Sequence, residues 1–583
     1  MTSSSSAPNG AALAPAPWRL VAIAVAITAV TLLGRLGGLP LLDPDEGRNA
    51  AVASEMQAHG AWIVPTYNGL AYMDKPAFFF RAVALCFGAF GADELSARLP
   101  STLAALALLA AAAAFARRVY GGRVAALTAI VLATAPLFVV FARTVIFDMP
   151  LALCVCTAIF TGYLAEEHAE PGGRRRLGLA SAFASGVAVL IKGPVGWIVP
   201  VLVLAAFFAS ERRFAAARRT LALERVAVVL ALVLPWFVAA CVERPDFAHY
   251  GLVYESFQRF TTDEFRRTQP FYFYVPVMLL ALAPWSLAAP EAALAAWRER
   301  ARLTRADRLL LVWVAVVVAF FSISRSKLPG YVLSAVVAGA LLSARLVDRA
   351  LADRDGRAAR ILDRSLTWIG VAAIVGAAVA IASMLLGADS WQRLLGRKNR
   401  EIVRLVPLFG PIALTCVALA ASAGWAARRR SLAAALLVVL VIPTSALTAS
   451  FPALRRYAEA ASARSVAAAV ARESANARVV SVRSLPPGLP FYLGRPITLV
   501  TEDGHESTSN YQMSLLRGSG PWPEGMIPLG DAAAWLDRQR EPIYLLAYWR
   551  RREIVESMLA SRGLAPTEIA PGWWGVLVPP RAG

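Results

Sequence analysis

A chain of 583 residues that is 58% hydrophobic and only 17% charged, with a mean hydropathy of +0.55, is too apolar for a water-soluble enzyme and needs lipid as its solvent. Its net charge of +20, from 59 basic and 39 acidic residues, does not mark a nucleic-acid binder. The arginines sit in short clusters between apolar runs, at Arg117, Arg118 and Arg123, Arg174 to Arg176, Arg212, Arg213, Arg218 and Arg219, Arg298 to Arg305, and Arg428 to Arg430, the pattern of cytoplasmic loops in a multi-span membrane protein.

Residues 1–18 read as a Ser-rich cytoplasmic tail with no cleavable signal, because the first apolar run is full length. Hydropathy and the arginine clusters then predict thirteen transmembrane helices within 19–449, near 19–40, 96–116, 123–141, 149–165, 178–191, 194–210, 225–241, 271–293, 309–324, 330–347, 366–388, 405–426 and 432–449. An odd count puts the termini on opposite sides, with the chain from about Ser450 extracytoplasmic. The loop 389–404, with Arg393, Arg397, Lys398, Arg400 and Arg404, then lies outside and suits either an anionic acceptor or ordinary anionic lipids. The five cysteines show no metal-ligand or disulfide spacing and read as small core residues.

The first extracytoplasmic loop, 41–95, carries seven acidic and three basic residues and is too patterned for a linker. Asp43-Pro44-Asp45-Glu46 predicts a helix start with Asp43 as N-cap, proline at the first helical position and Glu46 completing a capping box. Pro76 opens an aromatic-rich segment through Phe78, Phe79 and Phe80, and both segments suit amphipathic helices at the membrane surface. Beyond the last span, 450–583 predicts a small periplasmic α/β domain. It has a helix near Leu454–Glu473, strands at Arg478–Val482, Ile497–Val500, Ile543–Ala547 and Trp574–Val578, and helices near Asp531–Gln539 and Arg552–Ala560.

Ionisable residues recur at the extracytoplasmic ends of the spans: Asp43, Asp45, Glu46 and Arg48; Asp74 and Lys75; Arg143 and Asp148; Lys192; Glu255 and Arg259; Arg325 and Lys327. Each has a plain structural alternative. Asp43 and Glu46 could cap a helix and Asp45 could favour its dipole, while Lys75, Arg143, Lys192 and Lys327 could snorkel to headgroups. Anchoring needs no carboxylates, so acids and bases sharing one rim point instead to a site that grips a phosphate and sets an acid beside a reacting carbon.

Several motifs together resemble the aminoarabinose transferases, which belong with the protein O-mannosyltransferases to the GT-C glycosyltransferases. They are Asp43-Pro-Asp-Glu-Gly-Arg48, Gly60-Ala-Trp-Ile-Val-Pro65, Tyr72-Met-Asp-Lys-Pro76, Ala97-Arg-Leu-Pro-Ser101, Arg143 to Asp148, Ile191-Lys-Gly193, Glu255-Ser-Phe-Gln-Arg-Phe260, Pro284-Trp285 and Ser326-Lys-Leu-Pro-Gly-Tyr331. The resemblance implies an enzyme of the bacterial inner membrane, taken as a monomer. It would move a sugar from an undecaprenyl-phosphate carrier to lipid A, another envelope glycan or protein Ser/Thr at the periplasmic face. Asp45 would be the catalytic carboxylate, with Asp148 helping to hold it and Lys75. Lys75 and Arg259 would neutralise the carrier phosphate, Tyr72 and Tyr331 would line the site, and Arg48, Arg143, Lys192, Glu255 and Lys327 would complete the substrate contacts. Where the family often has a metal-holding Glu and His, this chain has Asp74 and Ser256, which leaves Asp74 and water for a weakly held divalent ion and no zinc site. A transporter of lipid-linked substrates would instead place its charges near mid-membrane and show internal repeats.

Overall fold

The computed structural model describes residues 18–251, 269–395, 406–429, 432–474, 476–516 and 521–580. Among these, seven helices are long and apolar enough to cross a membrane: Glu94–Tyr120, Asp148–Glu167, Phe214–Glu243, Arg305–Ile323, Pro329–Ala352, Arg357–Gly387 and Val406–Trp425. Two bent pairs, Gly122–Thr134 with Pro136–Ala142 at 70° and Tyr274–Ala281 with Trp285–Arg298 at 118°, raise the count to nine if each pair is one span. Both breaks fall at a proline, Pro136 and Pro284, which cannot continue the hydrogen-bond ladder of the preceding turn. The remaining four expected spans coincide with helices Trp18–Leu33, Pro171–Lys192, Val195–Ser210 and Leu432–Ala460. The first and third of these have 16 residues each, short of the roughly 20 that cross a hydrocarbon core.

The bundle core is built from alanine, leucine and aromatic side chains, with Phe115 stacked on Phe160 at 4.4 Å and Trp313 edge-on to Phe160 at 5.5 Å. The helix Asp148–Glu167 runs its length. At its C-terminal end, about 28 Å from Asp148 at 1.5 Å per residue, the basic clusters are tied into ion pairs: Glu166 with Arg219 and Arg225, and Glu167 with Arg213 and Arg305.

The first loop is folded throughout. Helix α1 (Trp18–Leu33) gives way to α2 (Asp45–His59), which ends on left-handed Gly60. The N-cap of α2 is Pro44, not Asp43 as the sequence predicts. Asp43 does not cap α2; its carboxylate lies between Gly47 and Gly488 and accepts a 2.7 Å hydrogen bond from the Gly488 amide, while its own amide donates to Ala461 O at 3.0 Å. Glu46 does reach back, to the Leu42 amide at 3.0 Å. It is also buried in a two-bond pair with Arg98, whose other hydrogens go to the carbonyls of Leu36, Leu39 and Pro40. Strands β1 (Thr66–Tyr67) and β2 (Leu70–Ala71) form a hairpin whose Asn68-Gly69 corner has both φ positive, 55° and 77°, the arrangement for which Asn-Gly is favoured. Helix α3 (Phe78–Phe90) buries Phe79, Phe80, Val83, Ala84 and Phe87, and Asp93 with Ser96 caps α4 (Glu94–Tyr120) in a full capping box.

At the C-terminal end, the last long helix runs on to Ala460, and Arg464–Glu473 follows as a separate helix. Strands β3 (Arg478–Val482), β4 (Thr498–Thr501), β5 (Met526–Pro528), β6 (Ile543–Tyr548), β7 (Thr567–Ala570) and β8 (Trp573–Val578) form one sheet in the order β5-β4-β3-β6-β8-β7. The first four are mutually parallel, and β8 and β7 join antiparallel. The sequence pattern misses β5 and β7, the two short edge strands. One apolar cluster holds Leu41, Ala50, Tyr67, Phe79 and Phe80 of the first loop together with Val466, Leu489, Leu499, Tyr544 and Leu546 of the sheet and its helices. Two glycines, Gly47 and Gly488, face each other across this seam. A Cβ on Gly47 of α2 would lie 2.1 Å from Asp43 Oδ1 and 2.6 Å from Gly488 Cα.

Candidate active site

Where α2, the bundle and the sheet meet there is a cavity of about 110 Å³. Its charged lining is three carboxylates, Asp45, Asp74 and Asp148, and three cations, Arg48, Lys75 and Lys192, with Tyr72 and Tyr331 beside them.

Two carboxylate–cation pairs dominate it. Asp148 opens its helix and Lys192 closes the helix Pro171–Lys192, so helix ends present both at one rim. Lys192 Nζ donates to Asp148 Oδ1 at 2.6 Å, with both side chains nearly buried, and lies 4.8 Å from the Tyr331 ring centroid and 5.5 Å from that of Phe147. Gly330 leaves room for this, since a Cβ there would lie 2.7 Å from Asp148 Oδ1. On the other wall, Asp45 stands in the first turn of α2, 49% exposed, and accepts a 2.6 Å bond from Nη2 of Arg48 one turn later. Arg48 is buried. Burial works against its charge, but the neighbouring Tyr72, Asp45 and Asp74 outweigh it and hold its pKa above the usual value. Its Nη1 donates to Thr508 O at 3.2 Å and Thr508 Oγ1 at 3.1 Å.

Lys75 donates to the Asp74 carbonyl at 2.5 Å. The Asp74 carboxylate fastens the loop to the sheet, accepting from the Tyr250 hydroxyl at 2.6 Å and from the amides of Asn510 and Tyr511 at 3.0 and 2.8 Å. These bonds occupy both oxygens and do not suit a metal ligand. Among the described residues no group of three His, Cys, Asp or Glu could hold an ion.

The cavity therefore gathers Asp45, Arg48, Tyr72, Asp74, Lys75, Asp148, Lys192 and Tyr331 from the residues expected of it. Others lie elsewhere. Arg143, expected to bind substrate, caps α1, donating to the carbonyls of Thr31, Leu32 and Gly34 at 2.9, 3.0 and 2.8 Å, because the end of that helix leaves carbonyls unpaired. Lys327 is buried against Ser324 O at 2.6 Å and does not line the cavity. Asp148, expected to help hold Asp45 and Lys75, shares the cavity with both and pairs with Lys192. Glu255, Ser256, Arg259 and the basic residues 397–404 lie outside the described residues.

Thr508 and Asn510, also in the lining, were not foreseen. The signal for them was the polar run Thr501 to Asn510 directly after β4. Loops at the carboxyl ends of parallel strands are where open α/β sheets bind ligands. Thr508 has φ +55°, a left-handed conformation that costs a β-branched residue about 1–3 kcal/mol.

The chain is similar to known proteins over much of its length. Residues 74–238 match the family model for dolichyl-phosphate-mannose-protein mannosyltransferase. Curated undecaprenyl phosphate-alpha-4-amino-4-deoxy-L-arabinose arabinosyl transferases are similar over much of the chain. The one from Edwardsiella ictaluri is 30% identical over 57% of this chain and 59% of its own, and one from Proteus mirabilis is 28% identical over 73% and 76%. In the first relatives of this group the chain spans about three fifths of their length. The crystal structure of ArnT from Cupriavidus metallidurans bound to undecaprenyl phosphate superposes with a TM-score of 0.79, at 25% identity, over 96% of this chain and 97% of that one. With the fold shared end to end and the motifs gathered at one cavity, the chain is similar throughout to the aminoarabinose transferases among the GT-C membrane glycosyltransferases.

Proposed function

We propose that the protein transfers 4-amino-4-deoxy-L-arabinose from undecaprenyl phosphate to a phosphate of lipid A, at the periplasmic face of the bacterial inner membrane. The observation that carries this reading is the convergence of three cations and three carboxylates on one cavity at the rim of the bundle. Transfer at an anomeric carbon needs a departing phosphate held by positive charge and a carboxylate beside the carbon that becomes electron-poor. Lys75, Arg48 and Lys192 supply the first and Asp45 the second, with Asp148 keeping Lys192 in place. A lipid A phosphate arrives already ionised, so Asp45 orients the sugar and stabilises oxocarbenium charge rather than removing a proton. The accompanying topology is thirteen spans with a cytoplasmic N-terminus, and residues from about 450 forming a periplasmic unit over the active face.

Mass spectrometry of lipid A from cells with and without the gene tests the reading. A gain of one pentosamine is expected, and identical lipid A would overturn it. The match to the mannosyltransferase model favours one other acceptor class, the hydroxyl of protein Ser or Thr. Asp45 would then act as general base, and the added mass would appear on peptides while lipid A stays unchanged.

A further inference from the structure

The Asp45 carboxylate accepts a hydrogen bond from the Arg48 guanidinium, and Arg48 is gripped in turn by one residue 460 positions along the chain. Nη1 of Arg48 donates to both the carbonyl and the hydroxyl oxygen of Thr508. The left-handed backbone at Thr508, φ 55° and ψ 19°, turns both oxygens of that residue onto one nitrogen. Loop closure alone has no need of threonine there, since glycine or asparagine takes the same φ with less steric cost. The Nε–H of Arg48 is buried and has no hydrogen-bond partner among the described residues. A planar guanidinium fixed through both of its Nη atoms therefore keeps one donor with a set direction beside the cavity it lines.

We propose that Thr508 is a positioning residue of the sugar-transfer site: it fixes the Arg48 fork, the fork fixes the Asp45 carboxylate, and the C-terminal sheet thereby sets the aim of the first loop. The inference rests on the transfer reading above. It also makes the sheet part of the active site rather than a cover for it.

The experiment uses the purified full-length enzyme with the undecaprenyl-phosphate-linked aminoarabinose donor and lipid A. Thr508→Val removes the hydroxyl acceptor, and kcat should fall about tenfold with donor KM little changed. Thr508→Ser, which returns the oxygen, should restore kcat. In an Arg48→Ala background, followed in single turnovers, the valine should cost nothing further, because its effect travels through the guanidinium. Thr508→Gly guards against a valine variant that does not fold. It relieves the left-handed strain, so its thermal midpoint should not drop while its kcat still falls. A Thr508→Gly enzyme with wild-type kcat, or a valine that costs the same factor with and without Arg48, overturns the proposal. A wild-type enzyme that moves no sugar instead overturns the transfer reading, and this inference with it.

Discussion

Along the bundle, helices meet through side chains with no direction of their own, such as Phe115 on Phe160 and Trp313. At the seam between the first loop and the C-terminal sheet, apolar packing is joined by directional contacts that end on backbone atoms. The Asn68 side chain exchanges two 2.7 Å bonds with Ile497, Asp43 takes the Gly488 amide, Gln512 donates to Tyr67 O and Asp74 takes the amides of Asn510 and Tyr511. Apolar packing fixes how close two elements lie; a set of hydrogen bonds fixes their angle as well. The cavity lies where the two meet, so its Asp148–Lys192 wall is placed by the bundle and its Asp45–Arg48 wall by the seam. Catalytic aim and structural support should therefore separate on one wall and coincide on the other.

The largest expected effect is on the seam wall. Asp45→Asn should lower kcat by at least about 10²-fold, the scale of losing one electrostatic group aimed at developing charge. Its thermal midpoint should move little, since Asp45 is half exposed, the asparagine oxygen still accepts from buried Arg48, and Asp74 remains beside the guanidinium. Turnover assays beside a thermal melt check both, and an equal loss of fold would erase the contrast between the walls. On the bundle wall, Lys192→Met should cost about 3–5 kcal/mol of stability as well as activity, because it strands the buried Asp148 carboxylate. The double change Lys192→Met with Asp148→Asn should recover much of the stability and none of the activity.

How far the sequence revealed this arrangement follows the same division. Bundle helices are long apolar runs, legible by composition, and the structure's count differs at the two proline-broken pairs and at the helices Trp18–Leu33, Pro171–Lys192, Val195–Ser210 and Leu432–Ala460. Motif matching brought Asp45, Lys75, Asp148, Lys192 and Tyr331 to one site, because charges at span ends are costly unless they serve a purpose. What it could not separate was a cation facing the cavity from one satisfying a helix end, hence Arg143 and Lys327. The seam was the least legible part. Asn68, Gly47 and Thr508 act through pairings 420 or more residues away, and nothing local in a sequence encodes such a partner. The Asn68-Gly69 turn signal went unread in the sequence, and it would not have told what the turn docks against.

The seam should also respond to pH through Asp43. Burial pushes its pKa up to about 7, from 3.8, against the opposing hydrogen bonds from Gly488 and Ala463. Between pH 4 and 7 the unfolded chain gives up this proton while the folded one keeps it. Folding stability from this group is therefore full at low pH, declines through that window and levels off above about 7. The decline is about 4 kcal/mol at most. Asp43→Asn keeps an oxygen for Gly488 and removes the titration, so its melting curves between pH 5 and 8 should shift less than those of the wild type. Parallel shifts in the two proteins would remove Asp43 from the seam's pH response.

Arg143→Ala should give the smallest change and separates the two meanings of a cation at a span end. If Arg143 gripped the donor phosphate, its loss would raise donor KM by the tenfold or more that a charged hydrogen bond carries. Because its three hydrogen bonds go to the carbonyls of Thr31, Leu32 and Gly34, the expected result is instead a KM within about twofold of wild type and a loss of about 1 kcal/mol, the scale of an unmade helix cap. Hydrogen exchange locates that loss, since amide protection should fall in the last turn of α1 and stay unchanged in α2. A KM effect without fraying of α1 would move Arg143 back into the binding site and leave the first helix without the side chain that closes it.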